Sequence, residues 1–231
     1  MKYENIIKAQ FIDRPNRFVA EVKTEKYGEI KVHVPNTGRC KEIFQPGATV
    51  YLQLSKNIKR KYPYTLYSAY KGNELIHIDS AGANRLMEEA LKAGKIRGLE
   101  NISEIEREKP YGSSRFDFKF IKDGKTCFME VKGVTLEIDG VAKFPDAPTP
   151  RGARHLKELG DAAAEGYGAY ACFVIQMKGV DYFTPFVQRD PIFAAAVVNS
   201  AGRGVKLLAY DTIVSPEEIT LDKEIPIKLE D

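Results

Sequence analysis

The sequence predicts a two-domain α+β protein. Residues 1–80 are expected to form a small antiparallel OB-like β-barrel, and residues 81–231 an α/β domain with a mixed sheet and flanking helices. Two observations lead to this prediction. Short apolar segments separated by turn residues fill the first 80 positions, which is typical of small barrels. Beyond Gly82, apolar strands alternate with segments of helical periodicity, which is typical of a sheet crossed by helices.

The barrel prediction depends on six short segments of strand character. Turn residues such as Asp13–Asn16, Pro35–Gly38 and Pro46-Gly47 separate them. Strand spacing alone does not distinguish an OB-like barrel from an SH3-like barrel. The predicted strands are Ile6–Ile12, Phe18–Val22, Glu29–Val34, Thr49–Leu54, Tyr64–Tyr70 and Leu75–Ile78.

The second domain is predicted to contain three helices and four strands. In the first helix, apolar residues recur on one arc at about 100° per residue, and Asn84 is placed near its amino-terminal cap. The predicted helices are Ala83–Ile96, Arg151–Glu165 and Pro191–Ala201, and the predicted strands are a hairpin over Phe116–Val131 followed by Tyr170–Met177 and Val205–Tyr210.

Composition excludes some classes of protein and favours others. No apolar run approaches the roughly 20 residues of a membrane span, and the first residues lack a secretory signal. Three widely spaced cysteines (Cys40, Cys127 and Cys172) are interpreted as free thiols, so we expect a cytoplasmic protein without a membrane partner. Residues 1–80 contain 14 basic and 8 acidic residues, an excess that suits a polyanion such as DNA, although RNA is not excluded. The oligomeric state is not predicted.

The hairpin brings two carboxylates together. Asp123-Gly124 is a strong signal for a two-residue type I′ turn, because both central residues of that turn need φ > 0. This register places Asp117 opposite Glu130, with Cβ atoms about 5 Å apart. Alternation along the strands assigns Phe116, Phe118 and Phe120 to the core face, and Asp117, Lys119, Glu130 and Lys132 to the other face.

Opposed carboxylates repel each other unless something compensates them. A divalent cation, Mg²⁺ or Mn²⁺, would do so, and Lys132 is placed to assist an attacking water. Glu89 falls within the apolar arc of the first helix and is a further candidate ligand, whereas Glu88 points away. The alternative is an ordinary solvated hairpin face with a partly buried glutamate at the helix edge.

Further residues are candidates for contact with nucleic acid. The segment over residues 56–64 combines cations with tyrosines, as single-strand binders do. Arg39 flanks a tight polar turn, with His33 on its other side favoured as structural, and the second helix opens with cations where free amides favour anions. The alternative in each case is a solvated surface. The candidates are Lys56, Lys59, Arg60, Lys61, Tyr62, Tyr64, Arg39, Arg151, Arg154 and His155.

Several stretches of the sequence are together highly specific: residues 33–39, 59–65, 111–118, 130–136, 144–152 and 155–159. Through these stretches the chain resembles the sugar fermentation stimulation protein family over nearly its whole length. The resemblance implies an OB-type barrel followed by a PD-(D/E)XK nuclease-like domain, and DNA binding as the activity. Asp117, Glu130 and Lys132 match the nuclease motif and Glu89 matches a helix glutamate, but Phe116-Asp117 replaces the usual Pro-Asp.

Three functions remain open from the sequence. The first is Mg²⁺- or Mn²⁺-dependent hydrolysis of phosphodiester bonds by Asp117, Glu130 and Lys132. The second is a DNA-binding regulatory factor linked to sugar metabolism, without turnover. The third is a sugar- or nucleotide-binding regulator, which is disfavoured because the sequence has no glycine-rich phosphate-binding motif.

Overall fold

A computed structural model describes residues 1–57 and 59–229, so Ile58, Glu230 and Asp231 lie outside the described residues. Six strands form the first domain, and all six overlap the strands expected from the sequence. They are β1 (Ile6–Asn16), β2 (Val19–Thr24), β3 (Gly28–His33), β4 (Thr49–Leu54), β5 (Tyr64–Lys71) and β6 (Glu74–His77).

The first five strands close into a barrel. Their order is β3-β2-β1-β4-β5, with antiparallel neighbours, and a parallel pairing of His33 with Thr65 joins β3 to β5. Closure removes both exposed sheet edges. Alternate residues of each strand fill the interior, as with Ala20 and Val22 on β2, which are fully buried. The predicted small antiparallel barrel is therefore confirmed.

The second domain is built on a mixed six-stranded sheet of order β15-β14-β12-β9-β8-β7. The central strands β9, β12 and β14 run parallel, and the outer strands are antiparallel to their neighbours. The strands are β7 (Ile102–Tyr111), β8 (Ser114–Lys122), β9 (Lys125–Val134), β12 (Gly168–Ile175), β14 (Lys206–Val214) and β15 (Ile219–Glu224). A small second sheet contains β10 (Leu136–Ile138), β11 (Val141–Phe144) and β13 (Tyr182–Pro185).

Three helices complete the domain: α1 (Ser80–Lys92), α2 (Pro150–Ala164) and α3 (Pro191–Gly202). Each begins at a side chain that accepts a hydrogen bond from the first turn: Asp79, Thr149 and Asp190. The sequence placed Asn84 near the cap of α1, but Asn84 lies one turn inside the helix. The two-domain α+β fold is confirmed, with β7, β10, β11, β13 and β15 in addition to the predicted elements.

The hairpin register is confirmed. Asp123 and Gly124 both have positive φ, and the ladder pairs Lys122 with Lys125 and Phe118 with Met129. The ladder ends at that last pair, one step before Asp117 and Glu130. The expectation that Phe116, Phe118 and Phe120 share one face of the hairpin is wrong for Phe116.

Two buried clusters lie on opposite faces of the main sheet. Phe118 and Phe120 pack with the apolar face of α1. Phe116 instead packs with Phe128, whose ring centroid is 5.4 Å away, in the cluster on the α2 side. Strict alternation therefore breaks at Asp117, between two phenylalanines that face opposite layers.

All three cysteines are free and buried, as expected. Across residues 1–57 and 59–229, none of the helices combines the length and apolarity needed to cross a membrane.

Candidate functional site

Asp117 lies where β8 leaves the ladder, and two donors hold its carboxylate. The Asn84 side-chain amide donates to Oδ1 and the Val131 backbone N–H donates to Oδ2, both at 2.7 Å. The Asp117 side chain thus accepts a hydrogen bond from a backbone amide of β9 at the point where the β8–β9 ladder ends. Burial, followed by the charge of Glu130, raises the pKa of Asp117 to about 6. This carboxylate therefore exchanges a proton close to neutral pH.

Glu130 is buried on β9, with 3% of its surface exposed. His155 Nδ1 lies 2.5 Å from Glu130 Oε1, and the Lys132 ammonium contacts the same oxygen. Burial by itself raises the pKa of Glu130, but the His155 hydrogen bond and the Lys132 charge outweigh burial and hold the pKa below its ordinary value. Glu130 is therefore ionised at neutral pH.

His155 is held in turn by Arg151, whose Nε donates to His155 Nε2 at 3.3 Å. Because Nε2 accepts this bond, Nδ1 carries the ring proton and donates it to Glu130. Both residues come from the first turns of α2, which Thr149 caps and Pro150 opens. The α2 start therefore positions Glu130 through His155, a role that the sequence did not distinguish from direct contact with nucleic acid.

The donor set fits a divalent cation. Glu130 Oε2 is buried and has no hydrogen-bond partner in the described part of the protein, and a buried unpaired carboxylate oxygen is costly unless something binds it. Asp117, whose pKa the Glu130 charge raises, supplies a second carboxylate beside it. Carboxylate oxygens are the ligands that Mg²⁺ and related hard cations prefer, with water and phosphate completing the shell.

The structure does not bring Glu89 to these carboxylates. Its side chain is 59% exposed, and Oε2 lies 3.0 Å from the amino group of Met1. Glu88, which was expected to point away from the carboxylates, forms salt bridges with Lys92 and Arg107. Within residues 1–57 and 59–229, no group of three or more His, Cys, Asp or Glu side chains is arranged to hold a metal ion. The helix contributes a neutral donor to the site, Asn84, and the expectation of Glu89 as a third ligand is wrong.

Three of the other candidate contact residues line two further clefts. Arg154 lines the groove between α2 and α3. Lys56 and Arg60 line a cleft of about 500 Å³ between the barrel and the start of α1, where Arg60 donates to Thr65 at 3.0 Å. Lys61 lies over the Tyr62 ring at 5.4 Å. The basic segment therefore forms a separate surface from the carboxylate site.

Tyr64 contacts Tyr27, with ring centroids 5.9 Å apart, so it packs along the barrel wall. Lys59, whose N–H bonds to the Asn57 side chain, and Arg39 are exposed. His33 is partly buried, and burial followed by the charge of Arg60 lowers its pKa.

Sequence reasoning missed Arg14, which organises the polar turn after β3. Its guanidinium donates to the backbone carbonyls of Arg17, Asn36, Gly38 and Arg39 at 2.6–2.8 Å. It also lies over the Phe44 ring at 4.8 Å. The sequence contains no local signal for this role, because three of the four carbonyls are 22–25 residues away.

Family models match both parts of the chain. The N-terminal OB domain of the SfsA proteins matches residues 12–78, and the sugar fermentation stimulation protein RE domain matches residues 81–218. Similar curated proteins include sugar fermentation stimulation protein homologs from Clostridium tetani and from Clostridium botulinum strain Langeland. They are 52% and 49% identical over 98% of this chain and 98% of their own lengths.

A solved structure with the same fold is that of Pyrococcus furiosus SfsA in complex with Ca²⁺. Its TM-score is 0.90 at 27% sequence identity, and the alignment covers 99% of this chain and 98% of that one.

Proposed function

The chain belongs to the sugar fermentation stimulation protein family, and we propose that it binds DNA and hydrolyses phosphodiester bonds with a divalent cation. The observation that carries this proposal is the buried carboxylate of Glu130, whose Oε2 lacks a partner, beside Asp117 and Lys132. An aspartate on one strand and a Glu-x-Lys sequence on the neighbouring strand resemble a PD-(D/E)XK nuclease site. The Ca²⁺ in the Pyrococcus furiosus relative supports a cation-binding role here.

In this proposal Asp117 and Glu130 hold the cation, Mg²⁺ or Mn²⁺, which supplies Lewis acidity at the phosphoryl group. Asn84 and the Val131 amide fix the Asp117 carboxylate, and His155 fixes Glu130 in its ionised form. Lys132 provides a positive charge at the point where negative charge develops on the phosphate. The buried surroundings strengthen each of these electrostatic interactions relative to water.

The test is a cleavage assay on supercoiled, linear and single-stranded DNA with Mg²⁺ or Mn²⁺. Lys132→Ala is expected to reduce the rate about 100-fold or more. Lys119→Ala is the matched control, because Lys119 lies on the same hairpin but pairs with Glu106. Absence of cleavage of every substrate by the wild-type protein, or equal rates for the two variants, would refute hydrolysis by this site.

A DNA-binding regulator without turnover is the second candidate, favoured by the exposed cations of the segment around Lys59 and Lys61. Its binding constant should fall steeply with salt, because each neutralised phosphate releases counterions. Changing Lys59, Arg60 and Lys61 together to alanine should flatten that dependence. Binding that survives both EDTA and Asp117→Ala, with no cleavage under any condition, would favour this function over hydrolysis.

A further inference from the structure

A cleft of about 290 Å³ lies between the two domains. On the barrel side it is lined by Arg17 and by the turn over residues 36–38, which Arg14 holds in place. On the other side it is lined by the end of β9 and by residues 143–149, which are the end of β11 and the loop that leads to α2. Both walls are fixed by hydrogen bonds, including that from the Cys40 amide to Asp146 at 3.0 Å.

The cleft adjoins the carboxylate site through the backbone. Gly133 lines it and directly follows Lys132 on β9. A Cβ atom at position 133 would lie 2.3 Å from Oε1 of Gln176, a fully buried side chain that also lines the cleft. That oxygen has no hydrogen-bond partner in the described part of the chain. A molecule in the cleft would therefore contact β9 one residue beyond Lys132, against a wall that is closely packed at position 133.

The walls combine cationic and apolar side chains with one acidic side chain, Asp146, whose carboxylate accepts the Cys40 amide. Arg17 and Lys143 supply positive charge from opposite sides, one from each domain, and Lys143 Nζ lies 5.2 Å from the Phe186 ring centroid. Phe144, Pro145 and Pro148 supply apolar surface between them. Cations contact phosphates, and apolar or aromatic surface contacts the faces of bases.

The dimensions limit the ligand. The volume lies at the lower end of the range for small-ligand pockets, about 300–1,000 Å³. A duplex, whose major groove alone is about 12 Å wide, cannot enter such a space. A single nucleotide with its phosphate matches both the size and the composition of the walls.

We propose that this cleft binds one unpaired nucleotide, adjacent to the phosphodiester at the carboxylate site, so that the substrate is single-stranded nucleic acid or an unpaired end. The inference rests on the proposed nucleic-acid function and specifies its substrate class. Arg17 and Lys143 contact the strand's phosphates from the two walls, and the prolines and Phe144 contact the base.

The test measures binding in EDTA, so that it does not depend on cleavage. Fluorescence anisotropy follows a labelled single-stranded 12-mer, and its duplex, over a range of NaCl concentrations. We expect tighter binding of the single strand, and a slope of log K against log salt that is smaller by about 0.7 in each of Arg17→Ala and Lys143→Ala. Lys223→Ala, an exposed lysine on β15, is the matched control and should leave the slope unchanged.

A bulky substitution, Ala147→Trp, fills the cleft and should weaken single-strand binding at least tenfold while leaving duplex binding unchanged; thermal unfolding checks that it folds. Slopes and affinities equal to those of Lys223→Ala, with the wild-type protein still binding DNA, would overturn the cleft assignment and leave the proposed function intact. Duplex binding as tight as single-strand binding would also overturn it. If the wild-type protein binds neither probe in EDTA, the cleft assignment fails, and the cleavage assay with Mg²⁺ or Mn²⁺ decides the proposed function separately.

Discussion

Competition between a proton and a cation at Asp117 gives a quantitative prediction. In the metal-free protein, burial and the neighbouring Glu130 raise the Asp117 pKa from 3.8 to about 6. That difference corresponds to about 3 kcal/mol. The Asp117 pKa is higher in the folded than in the unfolded protein. The contribution of protonated Asp117 to the free energy of unfolding is therefore fully present below about pH 4 and is lost as the pH rises through 6.

The overall pH profile of stability does not isolate this effect, because His77 acts in the opposite direction. Burial lowers the pKa of His77 to about 4, so its contribution to stability is lost as the pH falls from 6.5 towards 4. The Asp117 carboxyl must therefore be observed directly. We expect a midpoint near 6 by carboxyl ¹³C NMR titration in EDTA.

The matched variants are Glu130→Gln and Glu137→Gln. The first removes the neighbouring charge while an amide still accepts from His155 and Lys132, so the Asp117 midpoint should fall but stay above 3.8, since burial remains. The second changes a glutamate that pairs with Lys71 and should leave the midpoint unchanged.

Guanidinium unfolding provides a second measurement. In EDTA, we compare the unfolding free energy of Glu130→Gln with that of wild type at two pH values. The variant should gain stability relative to wild type between pH 5 and pH 8, because only the wild type then has two neighbouring charged carboxylates. The gain should be a fraction of the roughly 3 kcal/mol. Saturating Mg²⁺ or Ca²⁺ should stabilise wild type at pH 8 and much less at pH 5, since a protonated Asp117 does not bind a cation. A wild-type midpoint below 4.5, or one that Glu130→Gln leaves unmoved, would refute this reasoning.

Three further predictions concern one residue that supports the carboxylate site and two that shape the cleft or its walls. His155→Ala removes the hydrogen bond to Glu130, so the pKa of Glu130 should rise and cation affinity should fall about 10- to 100-fold by isothermal titration calorimetry. Arg14→Ala removes four hydrogen bonds to backbone carbonyls and should destabilise the protein by about 2–4 kcal/mol in urea unfolding. Gly133→Ala places a methyl group 2.3 Å from the Gln176 oxygen and should destabilise the protein by about 1–3 kcal/mol.

Each of these has a control. His33→Ala changes a partly buried histidine of the barrel and should leave cation affinity unaltered. Arg17→Ala removes an exposed arginine beside the same turn and should change stability by less than about 0.5 kcal/mol. Gly202→Ala adds a methyl group at a position with nothing within 4 Å and should be tolerated. Equal effects of variant and control in any pair would contradict the contact assigned to it.

Local pattern determined much of the fold. The Asp123-Gly124 turn fixed the hairpin register, because its backbone geometry allows one pairing of the flanking strands. Strand-length apolar segments and turn residues were sufficient to predict the six strands of the first domain, whereas barrel closure depends on the pairing of His33 with Thr65. Two of the three residues proposed to do the chemistry, Glu130 and Lys132, share one strand at a spacing of two, so they were placed correctly relative to each other.

Tertiary packing decided the remainder. Strict alternation predicts one face for Phe116 and Phe118. In the structure Phe116 packs on the α2 side of the sheet and Phe118 on the α1 side, so the alternation of side chains breaks at Asp117. Periodicity in α1 placed Glu89 inward, but the rotation of a helix depends on what packs against each side, and the amino group of Met1 takes that carboxylate. His155 reaches Glu130 across 25 residues, and Arg14 reaches Asn36 across 22. Such contacts leave no periodic trace in the chain, because they depend on how the elements are arranged in space.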